Sequence, residues 1–255
     1  MRYKFWIKIS WFGFLTFIIF STGCVSVYNP VTGKKEWYLF DEKGEISWGD
    51  AMANEFIKEN KLLDDQKRIN YIKDIGVSLA KVSHRSNLNY KFYIIDQDQM
   101  NALAIPGGHV FIYKGLLDTV DDSELAFVLA HEIGHISARH SLKKLGATLG
   151  FSILATTLLR SPDQAQAKQL VNQLFGLVAK GYSRSDELQA DNLAFNYVSD
   201  AGYDPRAAIS LFEKLKEANK GMARPPFYLS SHPNSDQRIK NISSKLKELK
   251  GGGVQ

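Results

Sequence analysis

The segment His131-Glu132-Ile133-Gly134-His135 has the residue types and spacing needed for metal-dependent hydrolysis. Residues four apart in an α-helix lie one turn apart on the same face, so the two histidines can hold one Zn²⁺ while Glu132 lies beside them. The flanking positions are apolar, and two histidines and a glutamate buried there without partners would be costly. A bound metal removes that cost, so the sequence predicts one Zn²⁺ per chain.

A catalytic zinc needs a third protein ligand and an open position for water. The later segment SRSDELQAD, residues 183–191, offers Glu187 as that ligand. Asp191 follows four residues later on the same helical face, where it can orient a ligand histidine. The alternative is an acidic, solvated helix face, but apolar residues just beyond favour a packed helix. His140 is expected at the surface or at a helix end.

Helices and a small sheet must position these residues. Apolar residues at helical spacing predict helices over about 50–60, 66–82, 121–145, 163–180, 184–200, 205–219 and 234–249. Asp121 is the predicted N-cap of the helix that carries the two histidines, with Glu124 three residues later. Tyr90 to Ile95 and Val110 to Tyr113 are β-branched and aromatic, and the turn Pro106-Gly107-Gly108 lies between them, which predicts a small antiparallel sheet. The fold class is α+β, mostly α.

The stretch 145–159 is apolar apart from two glycines and scattered hydroxyl residues. Fifteen residues are too few to span a bilayer comfortably. A core helix or a hydrophobic flap over the cleft is therefore preferred to a segment that dips into the membrane.

The first residues are typical of an export signal. Three basic residues precede an apolar run of ten residues, 11–20, which is short for a spanning helix, and small residues then lead to Cys24. This pattern resembles a bacterial lipoprotein signal, with residues 1–23 removed and lipid attached to Cys24. The alternatives are an uncleaved N-terminal anchor and a buried structural cysteine. We expect residues 24–47 to be a tether and residues 48–250 to form the catalytic domain, facing the periplasm from the outer membrane.

Composition is that of an ordinary globular protein, which excludes disordered, collagen-like and disulfide-stapled classes. The net charge of +5 could suggest nucleic acid binding. Removal of the leader takes away three of those five surplus charges, with Arg2, Lys4 and Lys8. No nucleic acid partner is therefore expected.

The two motifs together resemble the HtpX and CAAX-prenyl-protease type of zinc metallopeptidases, and most closely its small exported relatives of the BepA and LoiP type. Two further stretches are similar to that family: NALAIPGG, residues 101–108, and Ser231-His232-Pro233 followed by Arg238. The resemblance covers roughly residues 48–245. It departs at Gln189, where the family often has Glu, and this position is not expected to matter because it lies off the metal face.

The resemblance implies a zincin-like fold in which the sheet lies beside the active-site helix and Glu132 activates a zinc-bound water. His232 and Arg238 are, by analogy, candidates to stabilise the oxyanion, although His232 could instead be an extra zinc ligand that blocks the open position. An edge strand would pair with an extended substrate, the alternative being a plain interior strand; its residues are Asn101, Ala102, Leu103 and Ala104.

The expected function is hydrolysis of peptide bonds in unfolded or misassembled envelope proteins, with envelope assembly machinery as a possible partner. Two other functions compete with it. One is a chaperone-like binding lipoprotein whose zinc is structural, and intact Glu132 argues against it. The other is a prenyl-protein protease acting within a membrane, which the lack of an apolar run of 18 or more residues after the leader disfavours.

Overall fold

Most of the chain that the computed structural model describes is helical, which confirms the predicted fold class. The described residues are 25–38, 40–147, 164–178, 180–218, 228, 231–233 and 235–251. Their strands are β1 (Val25–Asn29), β2 (Lys34–Tyr38), β3 (Lys91–Ile95), β4 (Ala102–Ile105) and β5 (His109–Tyr113). Their helices are α1 (Glu42–Glu59), α2 (Gln66–Val82), α3 (Lys114–Leu117), α4 (Asp122–Ser137), α5 (Gln164–Val178), α6 (Arg184–Asp200), α7 (Ala207–Ala218) and α8 (Ser235–Gly251). None of the described helices is both long and apolar enough to cross a bilayer.

The central sheet has the strand order β3-β5-β4 and is mixed. Strand β5 runs parallel to β3 and antiparallel to β4. The expectation of antiparallel pairing between β3 and β5 is wrong, because the turn at Gly107 and Gly108, both with positive φ, joins β4 to β5. The chain thus reverses direction twice, once before β4 and once after it, so β3 and β5 run in the same direction.

The two faces of the sheet contact two hydrophobic clusters. Side chains alternate along a strand, so Ala102 and Ala104 of β4 face the larger cluster, and Leu103 and Ile105 face the smaller one. The larger cluster contains apolar residues of α2, α4, α6 and α7, and the smaller contains residues of α1 and α5. Strand β4 and helix α4 are therefore packed through the same core.

Three local features differ from the expectations. Residues 25–38 form a β-hairpin rather than a loose segment, and α1 begins at Glu42, eight residues before the predicted start. The active-site helix ends at Ser137 instead of continuing to about Leu145, because Arg139 adopts a left-handed φ of 56° before residues 140–147 become helical again. Residues 1–24, with Cys24, and most of the stretch 145–159 lie outside the described residues.

Arg139 joins the hairpin to the end of α4. Its side chain is buried, with Nε donating to Glu45 Oε2 at 2.9 Å and Nη1 donating to the carbonyl of Tyr28 in β1 at 3.3 Å. Arg85 donates to Glu45 Oε1 at 2.7 Å and to the carbonyl of Ile136 at 3.2 Å. Two buried guanidinium groups thus share one buried carboxylate, and Arg85 also satisfies a carbonyl in the last turn of α4.

Candidate metal centre

Helix α4 presents the two histidines of the sequence motif on one buried face. A capping box starts it, as predicted, with Asp121 accepting from the backbone of Glu124 and the Glu124 side chain accepting from the backbone of Asp121. His131 and His135 are almost fully buried, and their Nε2 atoms lie 3.0 Å apart. The helix therefore places two ring nitrogens around one point.

Helix α6 brings Glu187 to the same point. It begins at the cap Ser183, and its closest approach to α4 is at Gly134, where an added Cβ would lie 3.1 Å from the carbonyl oxygen of Ala190. This approach leaves Glu187 Oε1 3.5 Å from His135 Nε2 and Oε2 3.6 Å from His131 Nε2. The carboxylate thus completes a three-donor set with the two imidazoles.

His232, just before α8, lies at the same centre. Its backbone N–H donates to the carbonyl of Tyr228, and its Nδ1 lies 3.2 Å from His131 Nε2 and 3.0 Å from Glu187 Oε1. Ligand atoms from all four residues lie within 4.8 Å of one another, and all four residues are buried. Four donors, rather than three, therefore surround one point.

The chemistry and spacing of this set fit Zn²⁺. Four tetrahedral donors at zinc–nitrogen distances of about 2.0–2.1 Å lie about 3.3–3.4 Å from each other. Five separations within the set, from 3.0 to 3.6 Å, bracket that value, and all its ligand atoms lie within 4.8 Å of one another. Glu187 Oε2 is buried and accepts no hydrogen bond within the described chain; the Arg238 guanidinium 3.3 Å away compensates part of its charge, and a bound metal ion would compensate the rest. The residues present are thus suited to hold a zinc ion.

Asp191 and Arg238 contact the donor residues and hold them in position. Asp191 Oδ1 lies 3.0 Å from His131 Nδ1, and because a carboxylate only accepts, Nδ1 donates to this shorter contact and Nε2 offers its lone pair to the centre; Arg238 Nη2, 3.2 Å from Nδ1, is then a neighbouring charge and not its hydrogen-bond donor. Arg238 Nε and Nη2 donate to the two oxygens of Asp191 at 2.8 and 2.6 Å, and Nη1 lies 3.3 Å from Glu187 Oε2. The guanidinium is therefore held by two carboxylates.

These contacts shift the pKa of both carboxylic acids. Burial would raise the pKa of Glu187, but His232 and Arg238 hold it well below its usual range. Burial likewise opposes the charge on Asp191, and Arg238 lowers the pKa of that side chain below its usual value. Both groups are therefore ionised at neutral pH, as a metal ligand and its supporting acceptor must be.

His140 orients the second histidine of the motif; it was expected at the surface or at a helix end, and it lies buried at the start of the helical residues 140–147. It is buried, with Nδ1 2.9 Å from His135 Nδ1 and Nε2 2.9 Å from Gln189 Oε1. A carboxamide oxygen only accepts, so His140 Nε2 donates to Gln189, His140 Nδ1 accepts from His135, and His135 Nε2 keeps its lone pair for the centre.

Gln189 was not expected to matter. It lies off the metal face, as its position in the helix indicates, but it contacts His140. The sequence around His140 gives no signal of this contact, because its neighbours Arg139 and Ser141 are polar. The backbone break at Arg139, which turns His140 back toward His135, has no signature in the sequence either.

Glu132 lies beside the donors, and its Oε1 forms no hydrogen bond with them. Burial raises its pKa to about 7. Its Oε1 accepts no hydrogen bond from the described residues and lies 3.5 Å from His232 Nε2. A carboxylate with a pKa near neutrality and one free oxygen is suited to take and return a proton.

The predicted substrate-binding residues lie at a sheet edge. Strand β4 contains Ala102, Leu103 and Ala104 and pairs only with β5 among the described strands, and Asn101 directly precedes it. Asn101 is buried, and its Oδ1 has no hydrogen-bond partner in the described chain. The strand beside the active-site helix therefore has one edge that no described strand covers.

Comparison with known proteins gives one family and several relatives. Peptidase family M48 matches residues 66–246. The chain is 32% identical over 226 residues to the mitochondrial metalloendopeptidase OMA1 of Arabidopsis thaliana, covering 87% of this chain and 45% of that protein. It is 26% identical over 223 residues to the β-barrel assembly-enhancing protease of Escherichia coli K12, covering 83% of this chain and 45% of that protein.

A shorter relative is matched over most of its length. The metalloprotease YcaL of Escherichia coli K12 is 32% identical over 183 residues, which cover 67% of this chain and 70% of YcaL. The chain spans slightly less than half the length of the other two relatives. The family match, residues 66–246, includes the helices that carry the donors.

Proposed function

The chain belongs to peptidase family M48, and from that premise we propose that it is a zinc-dependent metalloendopeptidase acting on unfolded or misassembled envelope proteins. The observation that carries the proposal is the buried set of His131, His135 and Glu187 next to a carboxylate, Glu132, whose pKa lies near neutrality. A purely structural metal site would not need an unengaged carboxylate beside the donors.

The residues of the centre have separate parts in the proposed reaction. His131, His135 and Glu187 would hold Zn²⁺, which when bound supplies a Lewis acid for the scissile carbonyl and an acidified water. Glu132 takes the proton of the attacking water on Oε1 and later gives it to the leaving amine. Asp191 and His140 keep the two histidines in the tautomer that offers Nε2.

Arg238 is a positioning residue in this proposal rather than an oxyanion donor. All of its contacts in the centre are to Asp191, Glu187, His131 and the carbonyl of His232. The guanidinium is buried behind the donors, so its charge stabilises the two ionised carboxylates.

His232 would block the open position of a zinc ion bound at this centre. A catalytic zinc keeps one position for water or substrate, and His232 Nδ1 occupies the fourth corner of the donor set. We therefore favour the blocking role over the role of transition-state donor. Substrate binding then requires His232 to leave the centre.

The substrate is proposed to pair with the uncovered edge of β4. An added strand is recognised through its backbone, which selects extended chains over a particular sequence. This selectivity suits proteins that have failed to fold, and one relative is named for enhancing β-barrel assembly. We place the enzyme in the periplasm, as an outer-membrane lipoprotein anchored at Cys24 and able to work beside envelope assembly machinery.

The proposed activity is tested with the variant Glu132→Gln, which keeps the size of the side chain and removes its basicity. We expect full zinc content and a fall in casein hydrolysis of about 10²-fold or more. Glu248→Gln, which removes an exposed carboxylate from α8, is the matched control and should keep full activity. Wild-type protein that binds zinc, cleaves no unfolded substrate and degrades no envelope protein in cells would instead indicate a binding lipoprotein.

The ligand and the anchor have their own tests. Glu187→Ala should lower zinc content, and full metal with full activity would place the third ligand elsewhere.

Cys24→Ala should prevent lipidation, and unchanged membrane fractionation would contradict the lipoprotein assignment. Envelope proteins that accumulate on Glu132→Gln would identify the substrates.

A further inference from the structure

The β1–β2 hairpin has one face that points away from the molecule. Ser26 pairs with Trp37 and Tyr28 pairs with Lys35, and cross-strand partners lie on the same side of an antiparallel pair. All four side chains are exposed, with Trp37 68% and Tyr28 58% accessible. We call this set the outer face; it has two aromatic rings and a lysine and contains no acidic residue.

Exposed apolar side chains are concentrated on this hairpin. Five large hydrophobic residues are exposed in the described chain, and Val25, Tyr28 and Trp37 are three of them. Trp and Tyr are the residue types enriched at the interface between membrane and water, where the ring meets lipid and the polar group meets water. The free energy of exposing such a ring is lower against lipid headgroups than in bulk water.

The hairpin begins directly after the proposed anchor. Strand β1 starts at residue 25, one residue after Cys24, and the apolar run of residues 11–20 precedes it. Lipid on Cys24 or an uncleaved leader would equally hold the hairpin within a few residues of the membrane. At 3.2–3.4 Å per residue in a strand, Trp37, paired opposite residue 26, cannot be far from the bilayer surface.

The charge near the outer face is basic. Lys35 belongs to the outer face, and Lys34 lies beside it at the start of β2 on the opposite face; both are exposed, and no acidic side chain of the described residues forms an ion pair with either. The single acid of the strands, Glu36, is on the inner face and pairs with Lys143 at 3.0 Å. Exposed lysines beside aromatic rings are attracted to anionic lipid headgroups.

We propose that the outer face of the β1–β2 hairpin docks on the headgroup region of an anionic phospholipid membrane. This inference rests on the membrane anchoring proposed above, and it adds a second contact to the anchor. Arg139 binds the carbonyl of Tyr28 and lies over the ring of Tyr38 at 5.1 Å, so the hairpin is fixed to the end of α4. The docked hairpin therefore sets how the active-site helix is oriented relative to the membrane.

The tryptophans of the chain allow a direct test. Four are present, Trp6 and Trp11 in the leader, Trp37 on the outer face and Trp48, which is only 3% exposed. The full-length protein is purified with its native anchor and reconstituted into vesicles of phosphatidylcholine and phosphatidylglycerol with brominated acyl chains. The difference in emission between wild type and Trp37→Phe isolates Trp37, whether or not the leader has been removed.

We expect bromine to quench the Trp37 emission and the Trp48 emission to be unaffected. The double variant Lys34→Gln/Lys35→Gln should reduce the quenching in these vesicles. Leu249→Ser, which changes an exposed apolar residue on α8, is the control and should leave the quenching unchanged. Trp37 emission that bromine does not affect would overturn the proposal.

Other outcomes would assign the surface differently. Shielding of Trp37 that rises with protein concentration in detergent, without vesicles, would identify a second copy of the chain as the occupant and overturn the proposal. Quenching that the two lysine substitutions do not change would overturn the assignment of an anionic surface. Casein hydrolysis reports the active site and fractionation of Cys24→Ala reports the anchor, so failure of either is distinguishable from failure of the docking surface.

Discussion

Gln189 acts on the centre through His140 although it contacts none of the metal donors. Its carboxamide oxygen fixes which nitrogen of His140 carries the proton, and this in turn fixes His135. The sequence correctly placed Gln189 off the metal face. Its effect on the centre depends on two contacts of 2.9 Å, His140 with Gln189 and His140 with His135, and spacing along a helix cannot predict such contacts.

Removal of this acceptor should weaken metal binding. In Gln189→Ala the Nε2–H of His140 loses its partner, the tautomer of His140 is no longer fixed, and we expect zinc affinity to fall about 10-fold. Competition with a chromophoric chelator measures it. Gln189→Glu keeps an acceptor and should retain the affinity, as should Asn196→Ala on the exposed side of α6. Wild-type affinity in Gln189→Ala would show that His140 does not need this partner.

His232 offers a second prediction at the same scale. If the four-donor arrangement predominates, only a minor open population binds substrate, and His232→Ala should raise kcat/KM per bound zinc, on the order of 10-fold for an open population near a tenth. The measurement is hydrolysis of an unfolded substrate together with the metal content of the same sample. Slower hydrolysis at equal metal content would instead make His232 a transition-state donor.

At the scale of elements, the approach of α4 to α6 sets the distance between the histidines and Glu187. Gly134 permits that approach, because a Cβ there would lie 3.1 Å from Ala190 O and 3.4 Å from the Cβ of Leu193. Helix positions were largely predictable, since apolar periodicity reports which face is buried. The close approach of α4 to α6 could not be predicted from the sequence, because it depends on the packing of two segments that are distant in sequence.

Gly134→Ala should therefore move the two helices apart by a few tenths of an ångström. We expect a loss of about 1–3 kcal/mol in the free energy of unfolding from overpacking, and weaker zinc binding because Glu187 moves with α6. The matched control is Gly176→Ala in α5, where nothing lies within 4 Å of an added Cβ. That substitution should stabilise the protein by about 0.5–1 kcal/mol. Equal effects of the two substitutions in urea denaturation would contradict this account of the packing.

The sequence did not predict the features that interrupt a helix or depart from regular strand pairing. Arg139 ends α4 with a left-handed residue that is not glycine, and the buried carboxylate of Glu45 compensates its charge together with that of Arg85. The hairpin was expected to be loose because its segment contains Asn29-Pro30 and Gly33 and has no long period. Strand β4 was expected as an edge strand from resemblance, and the mistaken expectation that β3 and β5 pair antiparallel came from assigning the turn to the wrong pair of strands.

At the scale of the whole molecule, buried titratable groups make stability depend on pH. Burial lowers the pKa of His109, His131 and His140 below 6.5, and it raises the pKa of Glu132 from 4.5 to about 7. Between pH 4.5 and 6.5 the unfolded chain binds protons on these histidines that the folded chain excludes, so stability falls as pH falls. Glu132 has the opposite sign in this window, because its folded form binds the extra proton.

The protons that the three folded histidines exclude outnumber the one proton that folded Glu132 binds. In the presence of a chelator, the metal-free protein should therefore lose stability as pH falls. A net difference approaching two protons corresponds to roughly 3 kcal/mol per pH unit at most, and the loss should begin below about pH 6.5. Urea denaturation in the presence of a chelator, repeated across this range, measures the slope. His109→Gln should reduce the slope, because the folded chain then excludes one fewer histidine proton, and a flat profile between pH 4.5 and 6.5 would contradict the prediction.

The order in which the donors appear along the chain has a consequence for biosynthesis. His131 and His232 are separated by 101 residues, and Glu187 lies between them. A chain made from its N-terminus presents the histidine pair first, when neither Glu187 nor the arginine that stabilises it has emerged. Because metal affinity requires the folded donor set, we expect the nascent protein to be inactive until α6 and α8 have both docked, which would protect it and its neighbours from premature cleavage during synthesis.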